Sequence, residues 1–431
     1  MKHTELAIDD LRSAARSLPD NGLAGAREAA VTHLAEHGLP TRRNEDWKYT
    51  DLSAAIDISN RWLRSRTVTP SAGLLDERAV ALVGNIDANW LVIVNGVVAD
   101  RFMQQLTGSG LDVSRLSTET SSLALQRPLA DLNVALLQDG LRVRITGDGD
   151  KPLGVLFVDQ ADGDAGVAQS YVELEFAAGS TAEVIEYHVS DGDADHYANS
   201  VLTMNIGANC DIKHVRLQNR RIGHVHTSRT SIALGRDSTL TMTGFDLGGG
   251  LIRNDVDIDL SETGASVVFD GLYLAGDGQH IDNHTRVDHR VGPATSSQEY
   301  RGILNGNCRC VWNGKAVVHE GADGTDASQA NHNLLLTEKA EVDAKPELEI
   351  YAEDVKCSHG TTIGQLDESS LFYLRTRGLS EQHAKQVLTF AFAADIVTRA
   401  PVDAFRDTVS ASVESRLAEI VAADITLEIA G

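Results

Sequence analysis

Residues 170–176, SYVELEF, residues 200–206, SVLTMNI, and residues 254–260, NDVDIDL, alternate apolar and polar side chains, and each run is followed by a turn of small residues. Alternation with period two is how a strand with one buried face reads. The turns recur at a nearly fixed interval: Gly179, Gly207, Gly235 and Gly264 fall 28, 28 and 29 residues apart. Five residues after each glycine stands an apolar residue, Val184, Ile212, Leu240 and Phe269, and three after it a small or modest one, Ala182, Cys210, Ser238 and Val267. A repeat of roughly 20 to 50 residues carried by strands alone predicts a β-solenoid, in which each turn buries its face against the next. An ordinary β-sandwich is the alternative.

Upstream of this core, Leu6, Leu11, Ala14, Ala15 and Leu18 recur near helical spacing, with Pro19, Gly22, Gly38 and Pro40 as punctuation. Trp47, Tyr49, Leu52 and Trp62 are expected to dock this part on the core. Between Ala79 and Phe102 the pattern changes to short apolar runs, ALVGNI and NWLVIVNGVVADRF, read as the first β-structure, with Asn95-Gly96 as a hairpin signal. Downstream, Ser380 is placed to N-cap a helix with Ala384, Val387, Leu388, Ala391 and Ala394 on one face. After Pro401, Phe405, Val409, Val413, Leu417 and Val421 recur every four residues, a stripe that needs a surface, for which the protein's own solenoid is one option. The expected organisation is a helical region over 1–75, a short mixed strand and loop region over 76–150, a β-solenoid core over 151–365 and a helical region over 366–431.

Composition narrows the function. A chain of 431 residues with 42% hydrophobic content has ample material for a core. A net charge of −24 opposes phosphate backbones and anionic lipid, so nucleic acid and membrane are poor partners. The opening MKHTELAIDDLRSAARS scatters charge and has no apolar signal core, which reads as cytoplasmic. Cys210, Cys308, Cys310 and Cys357 are too few and too irregular for a disulfide framework. The sequence contains no CxxC, HExxH or GxxxxGK[ST], which argues against an autonomous zinc module, a zincin or a P-loop ATPase.

The chemistry concentrates in residues 345–380, KPELEIYAEDVKCSHGTTIGQLDESSLFYLRTRGLS. At the end of a strand-like run, Cys357 and His359 stand two apart and share a face, with Ser358 turned away. The same geometry rejects a hydrolytic triad of Ser358, His359 and Asp354, which needs hydroxyl and imidazole in contact. A closed metal or cluster site needs about four ligands, so Cys-x-His is half a site, or else the pair is structural. Lys356 and His359 near the thiol would favour its thiolate. Cys308-x-Cys310 has the same same-face logic, with local packing as its simpler role. His224-x-His226, and His280, His284, His289, His319 and His332, fit no ligand spacing and read as solvated surface residues. Asp282, Asp288 and Glu299 admit a β-solenoid enzyme acting on acidic polysaccharide, which the lack of an export signal opposes, and an interaction scaffold without a metal role is the other alternative.

The run Lys345-Pro346-x-Leu348-Glu349-Ile350-Tyr351-Ala352-x-Asp354-Val355-Lys356-Cys357-Ser358-His359-Gly360 resembles the SufD-like branch of the SufB/SufD family, scaffold subunits of the Suf iron–sulfur cluster assembly machinery. Leu371-Phe372-Tyr373-Leu374-Arg375 with Arg377-Gly378, and Leu39-Pro40-Thr41-Arg42 with Glu45-x-Trp47-Lys48-Tyr49-Thr50, carry the same resemblance, and the chain length suits this branch over the longer SufB. The resemblance implies a mainly β fold, a right-handed parallel β-helix flanked by N-terminal and C-terminal helical regions. It implies a non-enzymatic scaffold that pairs with a SufB-like paralogue through β-helix ends and binds a SufC-like ATPase through the C-terminal helical region. A transient iron–sulfur cluster, or iron, would form at the subunit interface, with His359 as ligand or orienting group and Cys357 as second ligand, sulfur relay or neighbour. The resemblance also leaves open a reduced flavin on the complex and a homodimer of the isolated chain.

Overall fold

The structure is a computed structural model that describes residues 5–65, 72–106, 111–117, 123 and 127–429. Its strands are β1 (Asn89–Val94), β2 (Val97–Val98), β3 (Leu111–Arg115), β4 (Gly140–Ile145), β5 (Leu153–Gln160), β6 (Gly166–Phe176), β7 (Thr181–Asp191), β8 (His196–Ile206), β9 (Asp211–Asn219), β10 (Val225–Leu234), β11 (Thr239–Asp246), β12 (Leu251–Leu260), β13 (Ser266–Ala275), β14 (His280–His289), β15 (Thr295–Leu304), β16 (Arg309–Val318), β17 (Asp326–Leu335), β18 (Glu341–Ile350) and β19 (Lys356–Gly364). Its helices are α1 (Ile8–Ser17), α2 (Ala24–His37), α3 (Ser53–Ser65), α4 (Ala72–Val83), α5 (Asp100–Gln105), α6 (Pro128–Leu136), α7 (Glu368–Thr376), α8 (Glu381–Thr398) and α9 (Asp403–Ile429).

From β4 onward the chain alternates between two sheets, so that each turn contributes one strand to an odd-numbered sheet and one to an even-numbered sheet. Every strand pairs in parallel with the strand one turn away, and eight such turns stack into a β-solenoid. The sandwich alternative is thereby overturned. The first turn is closed by antiparallel pieces, β2 on β1 and β3 on β4. Asn95 and Gly96, at φ 48° and 81°, make the hairpin between β1 and β2, as their sequence predicted.

The ladder corrects the phase of the repeat. Thr181, Asp211, Thr239, Ser266, Thr295, Asp326 and Lys356 occupy one column, so successive turns are 30, 28, 27, 29, 31 and 30 residues long. Ile212 therefore stacks on Ala182, Leu240 on Ile212 and Val267 on Leu240, while Val184 meets His214 and Phe269 meets Met242. The glycine-based alignment slips by two residues at each end because the turns differ in length. A slip of two keeps each side chain on its face, which is why the inward positions were still recognised as apolar.

The lumen between the sheets is apolar at the starts of the odd strands, where Ile212, Leu240 and Val267 lie opposite Ile206, Leu234 and Leu260. The outer face of the odd sheet, with Ile185, Val215, Phe245, Leu272 and Ile303, is covered by α8 and α9. The stripe Phe405, Val409, Val413, Leu417 and Val421 is buried, and its surface is the protein's own sheet. The outer face of the even sheet, with Tyr171, Tyr197, Val201 and Val225, packs with α6 and the N-terminal helices.

Two local expectations fail. Ala81, Leu82 and Val83 end helix α4 instead of starting a strand, because a short apolar run bounded by glycine suits either state and Glu77–Val83 is rich in helix formers. Ser380 does cap α8, its hydroxyl accepting from the His383 amide at 3.2 Å. The buried face of α8, however, is Ala384, Thr389, Ala393, Ile396 and Val397, which leaves Ala391 exposed and Val387 48% exposed.

Candidate functional site

Among the described residues, the last turn, β18 and β19, has no turn above it: β18 pairs only with β16 and β19 only with β17, so each presents a row of unpaired backbone groups. Pro346 sits in β18, where the missing amide does no harm because one edge has no neighbour. Ile350, Tyr351 and Ile363 stand out along this end, the tyrosine 63% exposed.

Cys357 and His359 lie on β19 in the two inward columns. Beneath Cys357 are Ala327, Ser296 and Val267, and beneath His359 are Gln329, Gln298 and Phe269. The shared face read from the sequence is therefore real, and Ser358 belongs to the outward column above Ser328. In any earlier turn these positions are buried; here Cys357 is half-buried and His359 exposed, because nothing caps them. The Gln329 amide, oriented to satisfy its neighbours, donates to the Gly314 carbonyl and accepts from the Ala316 amide, both at 3.2 Å, and so joins the two sheets directly under His359. The thiolate expectation fails: partial burial pushes the Cys357 thiol up, and the nearby Asp326 carboxylate adds to the effect.

Helices α7 and α8 follow this end. Asp367 caps α7, accepting from the amides of Ser369 at 3.4 Å and Ser370 at 2.9 Å. Phe372 of α7 is 70% exposed, Tyr373 is 56% exposed, and Val387 of α8 adds to the same pair of helices. Among the described residues of the C-terminal region, the exposed large apolar side chains lie on α7 and α8.

The other candidates do not form sites of their own. Cys310 faces the lumen and Cys308 is buried at the turn before it; burial raises both thiols, Cys308 to about 11. Asp282 is paired with Arg253 at 2.6 Å and Asp288 with His319 at 2.7 Å on the outer face of the even sheet. Glu299 is on the odd sheet with Arg301 at 2.8 Å and Arg399 at 3.0 Å, so the three carboxylates share no cleft. His224, His226 and His289 are buried in the lumen, contrary to the solvated surface expected for them, while His332 is partly exposed. Alternation cannot tell an inward polar residue from an outward one.

Sequence reading also missed a charged cluster in the lumen. Glu186 accepts from His188 Nε2 at 2.6 Å and lies 3.2 Å from His214 Nε2. Arg216 pairs with Asp246 at 2.9 Å, and Arg220 pairs with Asp159 and donates to His188 Nδ1 at 3.3 Å. The parity of Glu186 and His188 with the inward Ala182 and Val184 was the signal that could have found it. Two guanidinium groups inside this cluster oppose a bound cation. Among the described residues, no group of three or more His, Cys, Asp or Glu is arranged to hold a metal ion.

The described residues form a parallel solenoid with helical regions at both ends and a last turn that carries Cys357 and His359. Two family patterns match the chain, the SufBD protein N-terminal region over residues 12–149 and the SufBD core domain of SUF system FeS cluster assembly over residues 157–392. The chain therefore belongs to the SufBD family, and it is a scaffold subunit of iron–sulfur cluster assembly. Within that family it is 32% identical to the iron–sulfur cluster assembly protein SufD of Escherichia coli strain K12, over 90% of this chain and 91% of the relative. A SufBD family protein of Synechocystis is 28% identical over 93% of this chain and 91% of its own length. SufD of Bacillus subtilis is 25% identical over 68% of this chain and 67% of its own. Among the described residues, no helix is long and apolar enough to cross a membrane.

Proposed function

We propose that this chain is the non-catalytic, SufD-side scaffold of a cytoplasmic complex, and that its open end receives a SufB-like paralogue. The observation that carries this reading is the pair of unpaired strand edges on β18 and β19, with Cys357 and His359 turned into the uncovered end of the lumen. A second β-helix end set against it would continue both sheets and roof the two side chains. His359 would then supply a ligand or orienting group to a transient iron–sulfur cluster completed by the partner's ligands, since one imidazole and one thiol are half a cluster site. Cys357, with its thiol held protonated, is the weaker candidate and serves beside it as a second ligand, a sulfur relay or a neighbour. A SufC-like ATPase would dock on α7 and α8 through Phe372, Tyr373 and Val387, and its ATP-driven dimerisation would strain the scaffold and open the interface. Any reduced flavin would be held by the assembled complex, and two copies of this chain would meet through the same ends when the paralogue is absent.

The test is native capture of the tagged full chain from its host under anaerobic conditions. One SufB-like subunit and two ATPase subunits per tagged chain are expected, and recovery of the chain alone overturns the reading. In the same host, His359→Ala should abolish cluster maturation while the complex still forms; normal maturation in that variant removes His359 from the site.

A further inference from the structure

Residues 45–50, EDWKYT, contribute to the resemblance but have no part in the proposed function. They run between α2 and α3, opening with the 3-10 turn Glu45–Trp47, and cross the outer face of the even sheet. Trp47 lies over the Arg253 guanidinium of β12 at 4.2 Å, and Arg253 donates to the Asp46 carbonyl at 2.9 Å. Arg253 is 1% exposed and paired with Asp255 at 2.7 Å and Asp282 at 2.6 Å. On β14, Thr50 donates to Asp282 and accepts from His280 Nε2 at 2.8 Å. On β16, Arg309 lies over the Tyr49 ring at 5.0 Å, and its guanidinium pairs with Asp343 of β18 at 2.7 Å. Glu45 lies 3.6 Å from Lys345 of β18 and 3.1 Å from Lys48.

Six residues thus reach four neighbouring strands, β12, β14, β16 and β18. Ladder bonds hold a parallel sheet together one neighbour at a time, and the edge strand, bonded on one side, is the first to open. A segment laid across the strands adds restraint where the ladder is weakest. The lever is anchored by Arg253, whose burial between two carboxylates depends on the Trp47 ring keeping water away.

We propose that residues 45–50 are a latch that fixes the edge strand β18, with Trp47, Tyr49 and Thr50 as positioning residues for the end that receives the partner. The proposal rests on the reading of that end as the partner surface, so its first test uses the full chain alone. Hydrogen exchange of the chain carrying Trp47→Ala and Tyr49→Ala should be about threefold to fivefold faster over 341–350, where Tyr49 holds Arg309, the partner of Asp343 on β18, and unchanged over 153–206. Unchanged exchange over 341–350, or the same acceleration in both segments, overturns it. Glu45→Gln, at an exposed residue, should accelerate 341–350 by up to about fivefold by removing the ion pair with Lys345. Unchanged exchange over 341–350 in that variant overturns the role of Glu45. In native capture, the Trp47 and Tyr49 variant should recover less SufB-like subunit than the unaltered chain; equal recovery overturns the link to the partner. If the unaltered chain captures no partner, the functional reading fails, while hydrogen exchange still decides the latch.

Discussion

Acidifying the protein from pH 7.5 to pH 5.5 should remove a large share of its stability, because the lumen holds histidines that fold only in the neutral form. Burial holds His188, His196 and His289 at about 4, against an ordinary value of 6.5, and the guanidinium groups of Arg220 and Arg216 add to the effect at His188. A histidine depressed in the folded state binds its proton only after unfolding between those values, so stability is complete above pH 6.5 and falls as the pH drops toward 4. At pH 5.5, one unit below the unfolded value, each of the three destabilises by roughly 1 to 2 kcal/mol. Asp270 acts in the opposite direction: burial pushes it up to about 6, only partly countered by Arg399, and the folded state therefore gains a proton first. That returns somewhat under about 1 kcal/mol at pH 5.5, which leaves a net loss of about 3 kcal/mol, a sizeable part of the roughly 5–15 kcal/mol that holds a folded protein. His224, His226 and His280 are depressed too and act in the same direction. Urea unfolding at pH 7.5, 6.5 and 5.5, followed by tryptophan fluorescence and far-ultraviolet circular dichroism, measures it. His289→Gln, which keeps a partner for Ser296 but cannot ionise, should make the slope shallower. A change below about 1 kcal/mol, or a gain on acidification, would refute the argument.

Phe405→Ala should destabilise by about 3–5 kcal/mol, since the ring is fully buried and meets Tyr187 edge-on at 5.3 Å; thermal unfolding reads this directly. Cys308→Ser with Cys310→Ser should leave iron handling and cluster maturation unchanged, and a loss of bound iron would contradict the packing role. The same pair should lower stability by about 1–3 kcal/mol in the calorimeter, because two hydroxyls replace thiols in a dry part of the lumen.

The strand alternation in SYVELEF and SVLTMNI was legible because one side of each strand is solidly apolar. The phase of the repeat was not, since turn length varies while the stacked columns stay continuous, and only the ladder reveals which residues meet. Glu186, His188 and Arg216 escaped notice for a related reason: alternation marks parity, and a charged residue at inward parity looks like any polar residue of an exposed face. Cys357 and His359 were legible as a pair from their spacing alone. Their accessibility was not, because it depends on β19 being the last strand of its sheet, a property of the assembled stack and not of the local sequence. The exposed apolar residues of α7 and α8, Phe372, Tyr373 and Val387, were obscured by the α9 stripe, whose stronger periodicity belongs to internal packing.

The order in which the chain leaves the ribosome follows from the way α9 covers the odd sheet. The turns stack from the N-terminal side as they are made, each resting on its predecessor. The outer face of that sheet, with Ile185, Leu217, Phe245 and Leu274, has its cover more than a hundred residues downstream, in Phe405 to Ile420. Throughout synthesis the growing solenoid therefore carries an uncovered greasy flank that lengthens with every turn, until helices α8 and α9 cover it. Translation that stops after β19 would leave a stacked but sticky product, a natural client for chaperones and proteases.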